Sequence, residues 1–547
     1  MAGEIESKPR EDSAALDRRT LLSLPVLSTL FAVELLALIV LRLPLIMSFD
    51  SFAFCDSGSD LTLDHLVSTG LKPAVDFGYH YGLLPIVIGR LWLSIFGATP
   101  AAYQAAMALC DVLIALAIAQ IVIALRLDVV ALTIVILALG FAVEPTYPHF
   151  AQAIEAVLLC HALAQHARGA RENALALSCA AILVKPSMGF VYSALLTMII
   201  ARRLYMARAS LSAWMQSFAP AAIVLAVLCP ALALRLGVPA LVRTVFPFGG
   251  YANYRAMNYG FFGAGRAFWN PSGRPWLYYL VDFSGFWLAG SAFLFASALF
   301  ACVKSLRSPM NDAALRARFE LLITCAVLHA TFVMVFFGNR WSWIYYAYLL
   351  VIGVAIATDL GLVWRRAGYA LAALALSSWT APAFAAHKLW AANARSQVTA
   401  GLWASAAERD EWARVLSLAA PGKTAILDIT GAAELMFPEF AQPVSLYLEP
   451  GLMVPAEVKR KLAQLAEADT IVVPIGGPPC RMIPRAPEFT SALAHFTRLW
   501  RGNFFEMYRR QTQSGIEYPS TLPQVEEALP VDTAISRLHL TSLKCGG

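Results

Sequence analysis

The sequence predicts a polytopic α-helical membrane protein of about eleven transmembrane helices, with a small α/β domain outside the membrane at its C-terminal end. Three observations carry that expectation. Of 547 residues, 59% are hydrophobic and only 14% charged, with a mean hydropathy of +0.62; soluble domains carry about 25% charged residues. Apolar runs able to cross a bilayer, about 20 residues each, recur from residue 21 to residue 385. Beyond 387 they stop, and short Val/Ile-rich stretches alternate with amphipathic ones, the pattern of strands and helices.

Taken in order, residues 1–20 are polar and read as a cytoplasmic tail. The first apolar run, 21–47, exceeds the roughly 7–15 residues of a signal-peptide core and no small-residue cleavage site follows, so it is expected to stay as a membrane helix. Ten further runs follow at 101–125, 128–143, 150–167, 173–184, 187–204, 214–236, 278–303, 319–337, 344–362 and 368–385. The 173–184 run is short, and its exit at Lys185-Pro186 reads as a broken helix. Residues 83–97 are apolar too, interrupted by Pro85 and Arg90.

Basic residues decide whether 83–97 crosses. Arg18 and Arg19, Arg126, Arg168 and Arg171, Arg202, Arg203 and Arg208, Lys304, Arg307, Arg316 and Arg318, and Arg365 and Arg366 fill the short connections. With eleven spans all fall on one side, cytoplasmic by the positive-inside rule. A twelfth span at 83–97 would reverse every later cluster, so this segment is expected to lie in the interface. The membrane domain then runs over 21–386. Its first outer loop, 48–100, holds interfacial helices, and a long outer loop covers 237–277.

The tail divides into an outward α/β domain, 387–510, and a loose end, 511–547. Residues 394–418 read as an amphipathic helix. TAILDI (424–429) and TIVVP (470–474) read as buried strands, and NFFEMYR (503–509) as a terminal strand. The net charge of +6 is spread over loops, and no region resembles a nucleic-acid-binding patch. Nine cysteines, mostly in apolar runs, show neither zinc spacing nor a disulfide framework.

Polar residues of unusual density cluster on the outer side. Residues 49–82, FDSFAFCDSGSDLTLDHLVSTGLKPAVDFGYHYG, carry Asp50, Asp56, Asp60, Asp64 and Asp76 with His65 and His80. Charge beside hydrocarbon is costly, so this loop is the expected chemical centre. Nucleotide-activated donors are cytoplasmic; an outward-facing enzyme needs its activated group carried on lipid. A long isoprenoid tail suits this, each buried CH₂ contributing about 0.8 kcal/mol. Transfer from such a donor needs a carboxylate to take the acceptor's proton, a cation to stabilise the departing phosphate, and rings to hold a sugar. Asp56 and Asp76 offer carboxylates. Lys185, Arg255, Arg266, Arg274 and Arg340 offer cations. Tyr79, His80, Tyr81, Trp276, Tyr278, Trp341 and Trp343 offer rings.

The stretch CDSGSDLTLDHLVSTGLKPAVDFGYHYGLLPIVIGRLWLSIFG has an acid beyond the first membrane helix, then a helix, then a turn bearing Gly70, Pro73, Asp76, Phe77 and Gly82. A second stretch, RPWLYYL from Arg274, stands at the mouth of the eighth span. In both, the chain resembles the GT-C superfamily of lipid-dependent glycosyltransferases, in the branch of protein mannosyltransferases and aminoarabinose transferase. The resemblance covers about residues 20–385. It implies a GT-C-like fold and a polyprenyl-phosphate sugar donor. The sugar would pass, with inversion, to an acceptor hydroxyl on a lipid, glycan or protein, in a bacterial cytoplasmic membrane with the C-terminal domain periplasmic. Asp56 falls on the catalytic base. Arg340 falls where relatives place a basic residue near the phosphate. The loop AVEPTYPHFAQAIEA lacks the family's second acid motif, and Glu144 and His149 are its nearest candidates. A divalent cation, Mg or Mn, is compatible with this chemistry, and no motif assigns it ligands.

Several residues keep two readings. Asp56 also suits the N-cap of the helix it precedes. Asp60 and Asp64 share a helical face, expected to be solvated. Asp76 either fixes a turn or touches substrate. Lys185 either snorkels at a helix break or meets phosphate, and Arg340 is a phosphate partner or an interfacial anchor. Glu155, inside the fourth span, is expected to make an interior polar contact. Three other functions compete. A flippase or transporter needs midplane charges and paired broken helices; the spans offer chiefly Glu34, Asp111 and Glu155 and one break. An O-antigen ligase or polymerase would use basic residues of a late outer loop, as Arg243, Arg255, Arg266 and Arg274 allow. A non-catalytic scaffold would tolerate substitution of Asp56 and Asp76.

Overall fold

A computed structural model describes residues 24–47, 58–142, 150–246, 283–307, 313–336, 346–361, 364–375, 406–428, 432–446, 453–475 and 487–511. Its helices are α1 (Leu24–Met47), α2 (Gly58–Ser68), α3 (Leu84–Phe96), α4 (Pro100–Ala124), α5 (Val129–Ala142), α6 (Phe150–Ala167), α7 (Arg171–Ile182), α8 (Pro186–Met206), α9 (Leu211–Leu236), α10 (Val238–Val245), α11 (Phe283–Arg307), α12 (Ala313–Phe336), α13 (Ala347–Thr358) and α14 (364–375). Among the described residues five helical segments are long and apolar enough to cross a membrane: Ala105–Ala124, Pro186–Met206, Leu211–Leu236, Trp287–Ser305 and Leu315–Met334. Shorter apolar helices include Pro25–Ala37, Val129–Leu139 and Ala347–Thr358. Each of the eleven expected runs has a helix within it, and among the described residues five of them hold a helical segment that meets the length and hydropathy of a span.

Two kinds of surface separate. Large apolar side chains such as Leu36, Ile123, Met198, Ile223, Leu234 and Leu299 stand exposed, as lipid-facing positions do. Inside, α6 packs on α4, α7 and α12, and α7 on α8 and α9. The contacts of α6 and α7 are Ala-rich, with Ala153, Ala162, Ala164, Ala174 and Ala181 fully buried; small side chains let membrane helices approach closely. Gly189 is the extreme case. A Cβ there would lie 2.5 Å from the Ile182 amide nitrogen, so the hairpin of α7 and α8 closes only around glycine. Pro220 and Pro230 sit within α9, which neighbouring helices tolerate in a membrane.

Paired charges sort to the two ends of α6. At its C-terminal end His166 bonds Glu320 (2.7 Å) and Tyr192 (3.1 Å), and Arg171 grips Glu320 with two bonds of 2.9 Å. Arg318 donates to the Leu125 and Arg126 carbonyls and pairs with Asp359, while Arg365 pairs with Asp128. Residues 125–128, 166–172, 318–320, 359–361 and Arg365 thus gather at one end of the bundle, the end where the basic loop clusters were expected. The other end of α6, 18 residues and about 27 Å away, meets the first outer loop.

There α2 is not free in solvent. Asp60 accepts from the Tyr103 hydroxyl (2.6 Å) and the Phe150 amide (2.8 Å), and Asp64 pairs with Arg90 (3.3 Å). The solvated face expected for the two acids is corrected: spacing put them on one face, but that face lies against α3, α4 and α6. Helix α3 starts where Leu84 N–H donates to the Leu183 carbonyl and is followed by α4, whose Tyr103 holds Asp60. Both its ends therefore sit at the same end of the bundle, and α3 lies across it without crossing. It buries Pro85, Ile86 and Leu93 and exposes Ile88, Leu91, Ile95 and Phe96.

Toward the C-terminus, α15 (Ala406–Leu418), β1 (Thr424–Ile426), α16 (Ala432–Met436), α17 (Pro455–Glu467), β2 (Thr470–Pro474), α18 (Pro487–Leu493), β3 (Phe496–Arg501) and β4 (Phe505–Arg510) build a sheet of order β1-β2-β4-β3. β1 and β2 are parallel and the other pairs antiparallel. The strand expected at 503–509 is β4. Its hairpin partner β3 was not anticipated, because FTRLWR mixes charge into the alternation. Alternate residues give the sheet two buried faces. Ala425, Leu427, Ile471 and Val473 pack with Leu465, Phe489 and Phe496, whereas Ile426, Val472, Phe505 and Met507 join Trp412, Phe437 and Phe440 in the core continuous with the bundle. Helix α16 rests on α2.

Candidate active site

The turn at 70–78 is built from its own residues. Gly70 takes φ +90°, a conformation glycine adopts at little cost. Pro73 forms an isolated bridge with Phe77, whose ring is fully buried. Asp76 closes the loop: its carboxylate accepts from the Lys72 amide (2.7 Å) while its own amide donates to the Lys72 carbonyl (2.8 Å). Of the two readings for Asp76, this contact is the turn-fixing one, and the side chain remains half-buried.

The chain then runs through Tyr79, His80 and Tyr81 to Gly82. The two tyrosines meet edge to face at 5.9 Å, and both are buried. Burial first, and then the Asp60 carboxylate, pushes the Tyr79 phenol well above its ordinary pKa, so it stays neutral. Gly82 N–H donates to the Val184 carbonyl (2.7 Å), and a Cβ on Gly82 would lie 2.0 Å from the Leu183 oxygen. The glycine of the turn motif is thus required by backbone contact with the break between α7 and α8. Its N–H and that of Leu84 donate to the Val184 and Leu183 carbonyls, which the break leaves without a helical partner.

Lys185 is the next residue after that break, in extended conformation at the N-cap of α8. Its side chain is only 12% exposed. The ammonium lies 3.9 Å from Glu155, 5.3 Å from the centre of the Tyr346 ring and 5.9 Å from that of Tyr81, within cation–π reach of both rings. The Tyr346 hydroxyl donates to Glu155 (2.7 Å), and the Gln152 amide donates to the Tyr81 hydroxyl (3.3 Å). One oxygen of Glu155 and the Gln152 side-chain carbonyl are buried without a hydrogen-bond partner. The arrangement is a desolvated cation walled by aromatic rings and flanked by unused acceptors. It can stabilise an anion while its acceptors receive hydrogen bonds from hydroxyl or amine groups.

Tyr81 and Lys185 are thereby brought together, and His80 sits in the same loop. Asp76 stands at the near end of that loop, five residues before Tyr81. Asp56, Glu144, His149, Arg274, Tyr278 and Arg340 lie outside the described residues. In sequence Asp56 precedes α2 by two residues, and Asp60 anchors α2 to the first residue of α6. Among the described residues no group of three His, Cys, Asp or Glu comes together. Gln152, Glu155 and Tyr346 were not expected as site residues. Glu155 was legible only as an acid inside an apolar run, and Tyr346 was one ring in the aromatic stretch FGNRWSWIYY.

No protein-family model matches the chain, and no curated protein matches it by sequence. Solved structures do. Crystal structures of ArnT from Cupriavidus metallidurans are similar to it. The form bound to undecaprenyl phosphate is 14% identical with a TM-score of 0.44, over 90% of this chain and 99% of that one. The apo form is 14% identical with a TM-score of 0.38, over 88% and 97%. Likeness at this level does not carry an activity across.

Proposed function

We propose that this chain is an integral membrane glycosyltransferase that moves a sugar from a polyprenyl-phosphate carrier to an acceptor hydroxyl. It would act at the outer face of a bacterial cytoplasmic membrane, with the C-terminal α/β unit periplasmic. The observation that supports this best is Lys185: a cation held at a helix break, nearly desolvated, on the same end of the bundle as the acid-bearing loop. Asp56 takes the proton as the acceptor oxygen attacks the anomeric carbon. The carbon–oxygen bond to phosphate breaks with inversion, and polyprenyl phosphate leaves carrying the electron pair. Lys185 meets the charge that grows on the phosphate, joined by Arg340. Glu155, Gln152, Tyr81 and Tyr346 orient the sugar, and Asp76 keeps the loop that carries Tyr81 closed. The exposed apolar flank of α3 and the bundle give the prenyl chain a lipid-side approach.

The test is transfer in proteoliposomes from a polyprenyl-phosphate sugar, with release of polyprenyl phosphate followed by mass. Asp56→Asn should lower kcat by about 10²–10⁴-fold while expression and folding stay intact. Full activity in both Asp56→Asn and Asp56→Ala would remove Asp56 from the mechanism. Deleting the gene and weighing envelope lipids and glycans should reveal one missing sugar, which names the donor.

A further inference from the structure

The turn before Tyr79 is held from outside by charged side chains of two separate elements. From α10, Arg243 donates to the Ala74 carbonyl at 3.0 Å. The C-terminal unit supplies the rest from one helix, α17. Glu457, fully buried, accepts from the Gly78 amide (2.9 Å) and from the Leu446 amide (2.6 Å), one bond on each carboxylate oxygen. One turn further along, Arg460 donates to the Asp76 carbonyl (2.5 Å) and the Val444 carbonyl (3.2 Å). Each side chain therefore spans two backbones, the membrane-side turn 76–78 and the strap 444–446 of its own unit. Four residues beyond Gly78 the chain is stitched by Gly82 to the break that carries Lys185. A continuous path of backbone contacts runs from α17 to the Lys185 cluster.

A buried carboxylate is costly unless both oxygens are satisfied, and charge-assisted bonds to amides are among the stronger ones. A unit that only needed to adhere could do so by packing helix on helix, as α16 already does on α2. Spending a buried acid on the Gly78 amide fixes the position of one peptide rather than adding adhesion. We infer that Glu457, seconded by Arg460, is a positioning residue: the C-terminal unit sets the 76–82 loop, and through it Tyr81, against Lys185. This rests on the glycosyltransferase reading for its catalytic consequence. Glu457 touches no reacting atom.

The experiment compares Glu457→Ala, Glu457→Gln and Arg460→Ala in the full-length protein with Lys423→Ala, an exposed position of the same unit. It reads kcat and KM for transfer and hydrogen–deuterium exchange along the chain. Expected in Glu457→Ala is faster exchange confined to residues 72–83 and 444–446, with kcat lower by about 10²-fold, the scale of a 1 Å misplacement. Glu457→Gln keeps one acceptor oxygen and should recover part of kcat, and Lys423→Ala should match the wild type. Unchanged kcat or unchanged exchange at 72–83 in Glu457→Ala overturns the inference. So does faster exchange spread evenly over the sheet and the bundle, which a purely structural role would give. If the wild type transfers nothing from a polyprenyl-phosphate sugar, the glycosyltransferase reading fails by itself. Exchange at 72–83 then decides the positioning claim alone.

Discussion

Lys185 concentrates the electrostatics of the candidate site in one side chain. It follows a broken helix, so its ammonium stands where α8 begins and where the N-terminal end of the helix dipole already favours an anion. Replacing it tests charge against packing. Lys185→Met keeps the stem and loses the ammonium, leaving Glu155 without its cation. Breaking a buried pair in this way costs about 3–5 kcal/mol, so the variant should unfold at lower temperature and lose transfer. Lys185→Arg should keep the fold and part of the activity; a thermal melt with a transfer assay separates the two. Gly82→Ala acts by a different route, since its methyl would meet the Leu183 carbonyl at 2.0 Å. Overpacking costs about 1–3 kcal/mol. The loop should detach from the helix break, and kcat should fall further than the melting temperature would suggest. The sequence marked Lys185-Pro186 as a break and Gly82 as a motif glycine. That each residue explains the other was not legible, because 183–184 and 82 are a hundred positions apart and carry no pairing signal.

At the scale of elements, α2 shows how periodicity and partnership differ. Its spacing places Asp60 and Asp64 on one face, and the apolar residues Leu61, Leu63 and Leu66 are buried. Which surface the acids meet depended on α4 and α6. Asp60→Ala would leave the Tyr103 hydroxyl and the Phe150 amide without their acceptor, a loss of about 1–3 kcal/mol. Limited proteolysis of the first outer loop should speed up, whereas Asp64→Ala, at a partly exposed pair, should change it little. The hairpin of β3 and β4 gives a second case. Glu411 of α15 accepts from the Asn503 and Phe504 amides (2.7 and 2.8 Å), and a Cβ on Gly502 would collide with its carboxylate. Gly502→Ala should lower the melting temperature of the C-terminal unit and leave the bundle helices protected in hydrogen exchange. β4 was readable from its apolar alternation, and β3 was not, because its register comes from pairing with β4.

For the whole molecule, the two ends of α6 carry opposite chemistry. Arg126, Arg171, Arg318 and Arg365 gather at one end with Asp128, Glu320 and Asp359. Lys185, Glu155, the first outer loop and α17 gather at the other. The expected orientation puts the arginine end inside the cell and the Lys185 end, where α3 begins and ends, outside it. Cysteine accessibility should therefore label Lys423→Cys from outside the cell and Arg208→Cys only after permeabilisation. The reverse pattern, or both from one side, would contradict the proposed orientation.

Composition and the recurrence of apolar runs were enough to determine a helical membrane protein with a polar C-terminal unit, because transfer of side chains between water and hydrocarbon depends on residue type. Loop charge likewise gave each connection an expected side, and the Asp-rich loop stood out because acids are expensive beside hydrocarbon. Tertiary structure alone decided which groups meet. Glu155 received Lys185 and Tyr346 from distant helices, and the turn at 76–78 was claimed by Glu457 and Arg460 from hundreds of residues away. A buried charge takes whatever partner the fold brings within about 3–4 Å, and that distance is set by packing.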